Sequence, residues 1–136
     1  MMTLTHFNET LDRLLGGARC VRITVDGYMT LVVEEVGPSA DGRRLIALAH
    51  TAVQNGDVMH DPEIVFELHA LGAEPISFRN DYVGAYNEVY AYDGAGRRTG
   101  VYAKRRSELQ SFARMWFRNL RAQGFLGDAA RREVIA

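Results

Sequence analysis

Gly56-Asp57-Val58-Met59-His60-Asp61-Pro62-Glu63-Ile64-Val65-Phe66-Glu67-Leu68-His69 is the stretch on which the fold turns. From Glu63 to His69 polar and apolar residues alternate. In an extended chain Ile64, Phe66 and Leu68 therefore share one face, and Glu63, Val65, Glu67 and His69 share the other. A strand of this kind belongs to a sheet packed on one side only, its second face wetter and carrying Glu63, Glu67 and His69. Pro62 cannot donate to a ladder and is expected at the strand's start. Asn55-Gly56 is a hairpin turn signal, so the mostly apolar run Arg44–Gln54 is expected to lie antiparallel as a central strand.

Working outward, Asp26-Gly27 marks a second hairpin, between Arg19–Val25 and Tyr28–Val36. On the other side Leu71–Pro75 reads as a turn, and Ile76–Phe78 and Ala85–Tyr92 as strands. Asp93–Gly96 reads as a loop, and Thr99–Ala103 as a short strand or lead-in. Leu4, Phe7, Leu11 and Leu14 recur at helical spacing, with Thr3 or Thr5 as N-cap and Gly16-Gly17 as the stop. Ser107–Gln123 reads as a second helix, with Ser107 and Gln110 forming a capping box. Its apolar face is Leu109, Phe112, Ala113, Trp116 and Leu120, and Arg114, Arg118 and Arg121 fall opposite.

The expected fold is α+β: an N-terminal helix, an antiparallel sheet of about five strands, and a long C-terminal amphipathic helix packed on one sheet face. Residues 1–126 are expected to form a single domain and 127–136 a flexible C-terminal tail. A chain of 136 residues, 47% hydrophobic, suits one core, and a charged fraction of 24% is not that of a disordered chain. A lone Cys20 forms no internal disulfide, and with no signal peptide and no membrane span a cytoplasmic location is expected.

The net charge of −1 conceals an asymmetry. Residues 1–90 carry 6 Lys+Arg against 13 Asp+Glu, a balance of −7, whereas residues 91–136 carry 10 against 4, a balance of +6. Such halves can pair internally or offer a charged face to a partner.

Three sets of residues carry candidate chemistry. Asp57, His60, Glu67 and His69, with Asp61, Glu63 and Glu88 nearby, are of the types that ligate divalent metals. They lack the spacing of a metal motif, so no metal or other cofactor is expected. Asp81, Tyr82, Tyr86, Glu88 and Tyr90, with Tyr92, form a tyrosine-rich polar strip, a composition common at binding surfaces. On a regular strand Tyr86, Tyr90 and Tyr92 would share a face. Arg114, Arg118 and Arg121, preceded by Arg97, Arg98, Lys104, Arg105 and Arg106, form a basic stripe of the kind that neutralises phosphates. Nucleophilic catalysis has little support: Cys20 has no neighbouring histidine in sequence, and Gly94-Ala95-Gly96 lacks a dinucleotide-site context.

Gly56-Asp57-Val58-Met59-His60-Asp61-Pro62-Glu63, Phe66-Glu67, Asn80-Asp81-Tyr82-Val83-Gly84 and Phe112…Trp116…Gln123-Gly124-Phe125 together resemble a family of small bacterial domains of unknown function. Its members are carried on plasmids, phages and integrated elements. The resemblance implies a mobile-element accessory protein and assigns no catalytic residues. The functional expectation is a non-enzymatic binding or regulatory protein whose partner is another protein, for example a host system it inhibits. A nucleic-acid accessory using the basic helix and a metal-dependent hydrolase using the acidic–histidine set are the alternatives. No membrane partner is expected, and the oligomeric state is left open.

Overall fold

The computed structural model describes residues 5–136, with side chains from Phe7 onward, so Thr3, Leu4 and the Thr5 side chain lie outside the described residues. In chain order the elements are α1 (Thr5–Leu15), β1 (Cys20–Thr24), β2 (Thr30–Val36), β3 (Leu45–Gln54), β4 (Asp57–His69), β5 (Gly72–Asn80), β6 (Ala85–Glu88), β7 (Tyr90–Tyr92), β8 (Arg98–Val101), α2 (Ala103–Ala122) and β9 (Arg131–Val134). The fold is α+β, but its antiparallel sheet is larger than the sequence suggests. Seven strands lie in the order β6-β5-β4-β3-β2-β1-β9, and β7 and β8 form a separate two-stranded sheet.

Alternation decides what the main sheet buries. Val21, Ile23, Leu31, Val33, Ile46, Leu48, Ile64 and Phe66 form one core cluster with Phe7, Leu11 and Leu14 of α1 and with Leu109, Ala113, Trp116, Phe117 and Leu120 of α2. Both helices thus cover the Ile64–Phe66 face. Phe7, Phe66 and Phe117 meet pairwise at ring centroid distances of 5.0–5.7 Å. Phe112 is only partly buried and packs edge-on against Phe78.

Turn chemistry fixes the register. Asn55 (φ 52°) and Gly56 (φ 84°) both adopt positive φ, as the tight β3–β4 hairpin requires. Pro62 does not start its strand but lies within β4. There Asp61 and Pro62 together oppose His50 alone, a bulge that removes the need for the missing donor. Pro75 is likewise inside β5 rather than in a turn, and Ile76 is the extra residue of a second bulge. The β4–β5 turn is Ala70-Leu71, which sets Glu67 directly opposite Glu74.

Three further expectations are corrected. Helix α2 starts one turn early, with Tyr102 at its N-cap and no side-chain cap, so Ser107 lies inside the helix. The run Ala85–Tyr92 is broken at Val89, which is buried in the core; its N–H bonds the Ile76 carbonyl (2.9 Å) and its carbonyl accepts from Tyr102 N–H (2.8 Å). Finally, 131–134 is not a frayed tail but an edge strand on β1. Arg131 pairs with Asp26 and Arg22 with Glu133, both at 2.9 Å, and Arg132 donates to the carbonyls of Leu14 and Leu15 at the end of α1. Gly16 (φ 57°) makes room for that cap, since a Cβ there would lie 2.6 Å from the Arg132 guanidinium.

Candidate functional site

The face of the sheet away from the helices carries Glu67 near the C-terminal end of β4, between Leu45 of β3 and Glu74 of β5. This face is not uniformly wet: Glu67 is fully buried. Arg98 of β8 covers it, donating from Nη1 (3.2 Å) and Nη2 (2.8 Å) to the two carboxylate oxygens. Two buried carboxylates set opposite each other repel unless cations intervene, and Glu74 finds its own. The Tyr90 hydroxyl donates to it at 2.7 Å, Arg106 Nε lies 3.2 Å away, and Arg106 Nη2 donates to the Tyr90 hydroxyl at 2.6 Å. The Arg98 guanidinium also stacks 3.8 Å from the centre of the Tyr90 ring. Burial works against the charge on Arg98, but Glu67 and Tyr92 outweigh it and hold its pKa above the ordinary value. Tyr90 is raised by burial and then by Glu74.

The β7–β8 turn makes this possible. The Asp93 carboxylate accepts from the N–H groups of Ala95 and Arg97, both at 2.9 Å, and closes a loop that aims Arg98 back at the sheet.

Glu67, His69 and Glu74 offer three ligand atoms within 4.8 Å of one another. Yet guanidinium groups already occupy the carboxylates, with His69 Nε2 at 2.9 Å from Glu67 and 3.7 Å from Glu74. Positive charge therefore sits where a divalent ion would need to be. The other metal candidates are dispersed. Asp57 is exposed at the β3–β4 turn. His60 belongs to a different cluster, in which the Asp81 carboxylate accepts from His60 N–H (2.8 Å) and Arg79 Nε (2.6 Å) and lies 2.9 Å from His60 Nδ1. The His60 backbone N–H, and then Arg79, hold Asp81 far below the usual carboxylate range. Asp81 thus locks the β5–β6 turn onto β4.

Beside the ion-pair network lies a cleft of about 360 Å³. Leu45, Val65 and Ser77 lie at its sheet side, Glu67 and Arg98 join them, Tyr86, Glu88 and Tyr92 contribute a phenol and carboxylate wall, and Ser39 and Asp41 of the β2–β3 loop complete the lining. The tyrosine strip is therefore divided. Tyr86 and Tyr92 are exposed and line the cleft, whereas Tyr90 is buried and holds Glu74; the break at Val89 separates Tyr86 on β6 from Tyr90 and Tyr92 on β7. Tyr86 is raised by burial and by its hydrogen-bonded neighbour Glu88. Tyr82 is exposed in the β5–β6 turn, outside the cleft.

The arginine stripe divides too. Arg121 donates to Thr10 Oγ1 (2.7 Å) and ties α2 to α1, Arg114 donates to Ser111 (3.2 Å), and Arg118 is exposed. Sequence reasoning missed Glu74, Arg98 and Arg106 as partners. The available signal was the two-residue turn Ala70-Leu71: once it is placed, Glu67 and Glu74 must face each other and require cations.

A family model matches residues 3–126. The chain belongs to DUF6908, a domain of unknown function. The DUF6908 match takes in the ion-pair network, the whole cleft lining and α2, and stops short of β9. No curated protein and no solved structure matches the chain. No helix among the described residues is long and apolar enough to cross a membrane.

Proposed function

We propose that this DUF6908 chain is a non-enzymatic binding module that engages another protein through the cleft beside the β7–β8 hairpin. The observation that carries this reading is the contrast within the cleft. Exposed tyrosines and a carboxylate rise beside an ion-paired, rigid base, the arrangement of a preorganised recognition surface. The residues that line the cleft include no histidine, cysteine or lysine to serve as base or nucleophile, and Glu67 is fixed on Arg98. The accessory role on a plasmid or phage, in the cytoplasm of a bacterial host, is the part of this proposal drawn from the resemblance of the Gly56–Glu63 signature.

The alternatives fare less well on specific contacts. A metal-dependent hydrolase would have to displace two arginines from Glu67 and Glu74. A nucleic-acid surface on α2 would forgo Arg121 and Arg106, which bind Thr10 and Tyr90.

The test is site-specific photo-crosslinking in host cells, with the photoreactive residue at Tyr86 in one variant and at Arg118 in another. A discrete protein adduct from position 86 and not from 118 is expected. No adduct at 86, or the same adducts from both positions, would overturn the reading.

A further inference from the structure

We propose that the cleft is a receptor for one basic side chain, the guanidinium or ammonium group of an arginine or lysine presented by the partner; this rests on the protein-binding reading above. The geometry separates what is already satisfied from what is not. Glu67 and Arg98 neutralise each other, so this pair offers neither free anion nor free cation. Arg98 is the only cation in the lining, which leaves a phosphate or carboxylate ligand without a counter-charge. Glu88 and Asp41 line the same cavity, are exposed, and have no ion-pair partner among the described residues. The Tyr86 ring stands beside them, 60% exposed, whereas the Tyr92 ring already has the Arg98 guanidinium 5.9 Å from its centre. Aromatic rings with carboxylates are the chemistry that recognises a cation.

A second, independent observation is Ser77. It is only 8% exposed, lines the cleft opposite Glu88 in the β5–β6 register, and its hydroxyl has no hydrogen-bond partner among the described residues. A hydroxyl in a cavity wall with no partner in the protein can accept from a ligand, and a guanidinium or ammonium supplies the donor. Size agrees: about 360 Å³ is near the lower end of ligand sites, roughly 300–1,000 Å³, which suits one side chain rather than a large ligand.

The experiment uses the full chain, labelled with ¹⁵N, titrated with N-acetyl-arginine methylamide and N-acetyl-lysine methylamide. The neutral isostere N-acetyl-norleucine methylamide and the acidic N-acetyl-glutamate methylamide serve as comparisons. Saturable shifts centred on the amides of Ser77, Tyr86 and Glu88 are expected with the two cations alone. The double variant Asp41→Asn/Glu88→Gln is expected to bind about fivefold more weakly and Tyr86→Leu about threefold more weakly. Both change exposed residues, and unchanged melting temperatures would verify the fold. Equal binding of norleucine, binding of the glutamate probe, cation shifts away from the cleft, or no shift would each overturn the proposal. A protein adduct at position 86 without cation binding would sink this inference and leave the binding-module reading standing. Cation binding without any adduct would do the reverse.

Discussion

Trp116 shows what one residue contributes to this fold. It is 5% exposed and stands between Phe112 and the His50 ring. Replacing it with alanine is expected to cost about 3–5 kcal/mol, the range for large aromatic truncations in a core, as read from denaturant midpoints. A loss under about 1 kcal/mol would show that the helix packs elsewhere. Its neighbour His50 reports on pH. Its Nδ1 lies 3.1 Å from the Met29 carbonyl, its ring packs against Trp116 and Phe125, and burial lowers its pKa. The unfolded chain, with an ordinary histidine pKa of about 6.5, then binds the proton more tightly than the folded one. The contribution of His50 is fully present above that pH and is lost progressively as pH falls below it toward the lowered value. Urea melts from pH 7.5 to 5 should show declining stability that His50→Gln flattens. The Asp81 contribution follows the same sign at lower pH: it is present above the ordinary carboxylate range and lost as protons reach the depressed group. An Asp81→Asn variant is therefore expected to melt earlier at pH 7 and to differ little from wild type in strong acid.

At the scale of elements, the Arg98–Glu67 pair joins the small β7–β8 sheet to the large one. Changing Arg98 to methionine leaves the buried Glu67 carboxylate with His69 but no guanidinium and is expected to cost about 3–5 kcal/mol. The double change Arg98→Met/Glu67→Leu should recover much of that loss, and a double-mutant cycle in urea would measure it. Strictly additive losses would mean that the two side chains act separately. The elements that were legible in the sequence were those whose signals are local. The alternation of Glu63–His69, the Asn55-Gly56 turn and the apolar face of α2 depend on neighbours within a few residues. Those that were not legible depend on distant partners. Arg105 donates to the Glu88 carbonyl and Arg106 holds Glu74 and Tyr90, so the start of α2 is anchored from outside and needs no Ser107 cap. Bulges let Pro62 and Pro75 lie inside strands, where the residue alone argues against them. Tyr86 and Glu88 were legible as surface residues, whereas the cleft they line also needs the β2–β3 loop, which no local pattern brings near.

Across the whole molecule, the opposed charges of the two halves are joined through Arg98 to Glu67, Arg106 to Glu74 and Arg131 to Asp26. Several cations of the basic segment are thus bonded to their own chain, although most of them stay exposed. No salt-sensitive complex with duplex DNA is expected at physiological ionic strength. Micromolar binding whose log–log salt slope approaches about 0.9 per phosphate contact would reverse that expectation.

The pairing of β9 with β1 has a consequence for synthesis. The two strands are separated by nearly the whole chain. On a ribosome adding roughly 5–20 residues per second, the backbone of β1 is complete many seconds before its neighbour on that side has been made. During that interval β1 presents an unpaired edge, the kind of surface that recruits another strand. Arg22, exposed on β1, is the kind of charge that discourages such recruitment, and in the finished fold it pairs with Glu133.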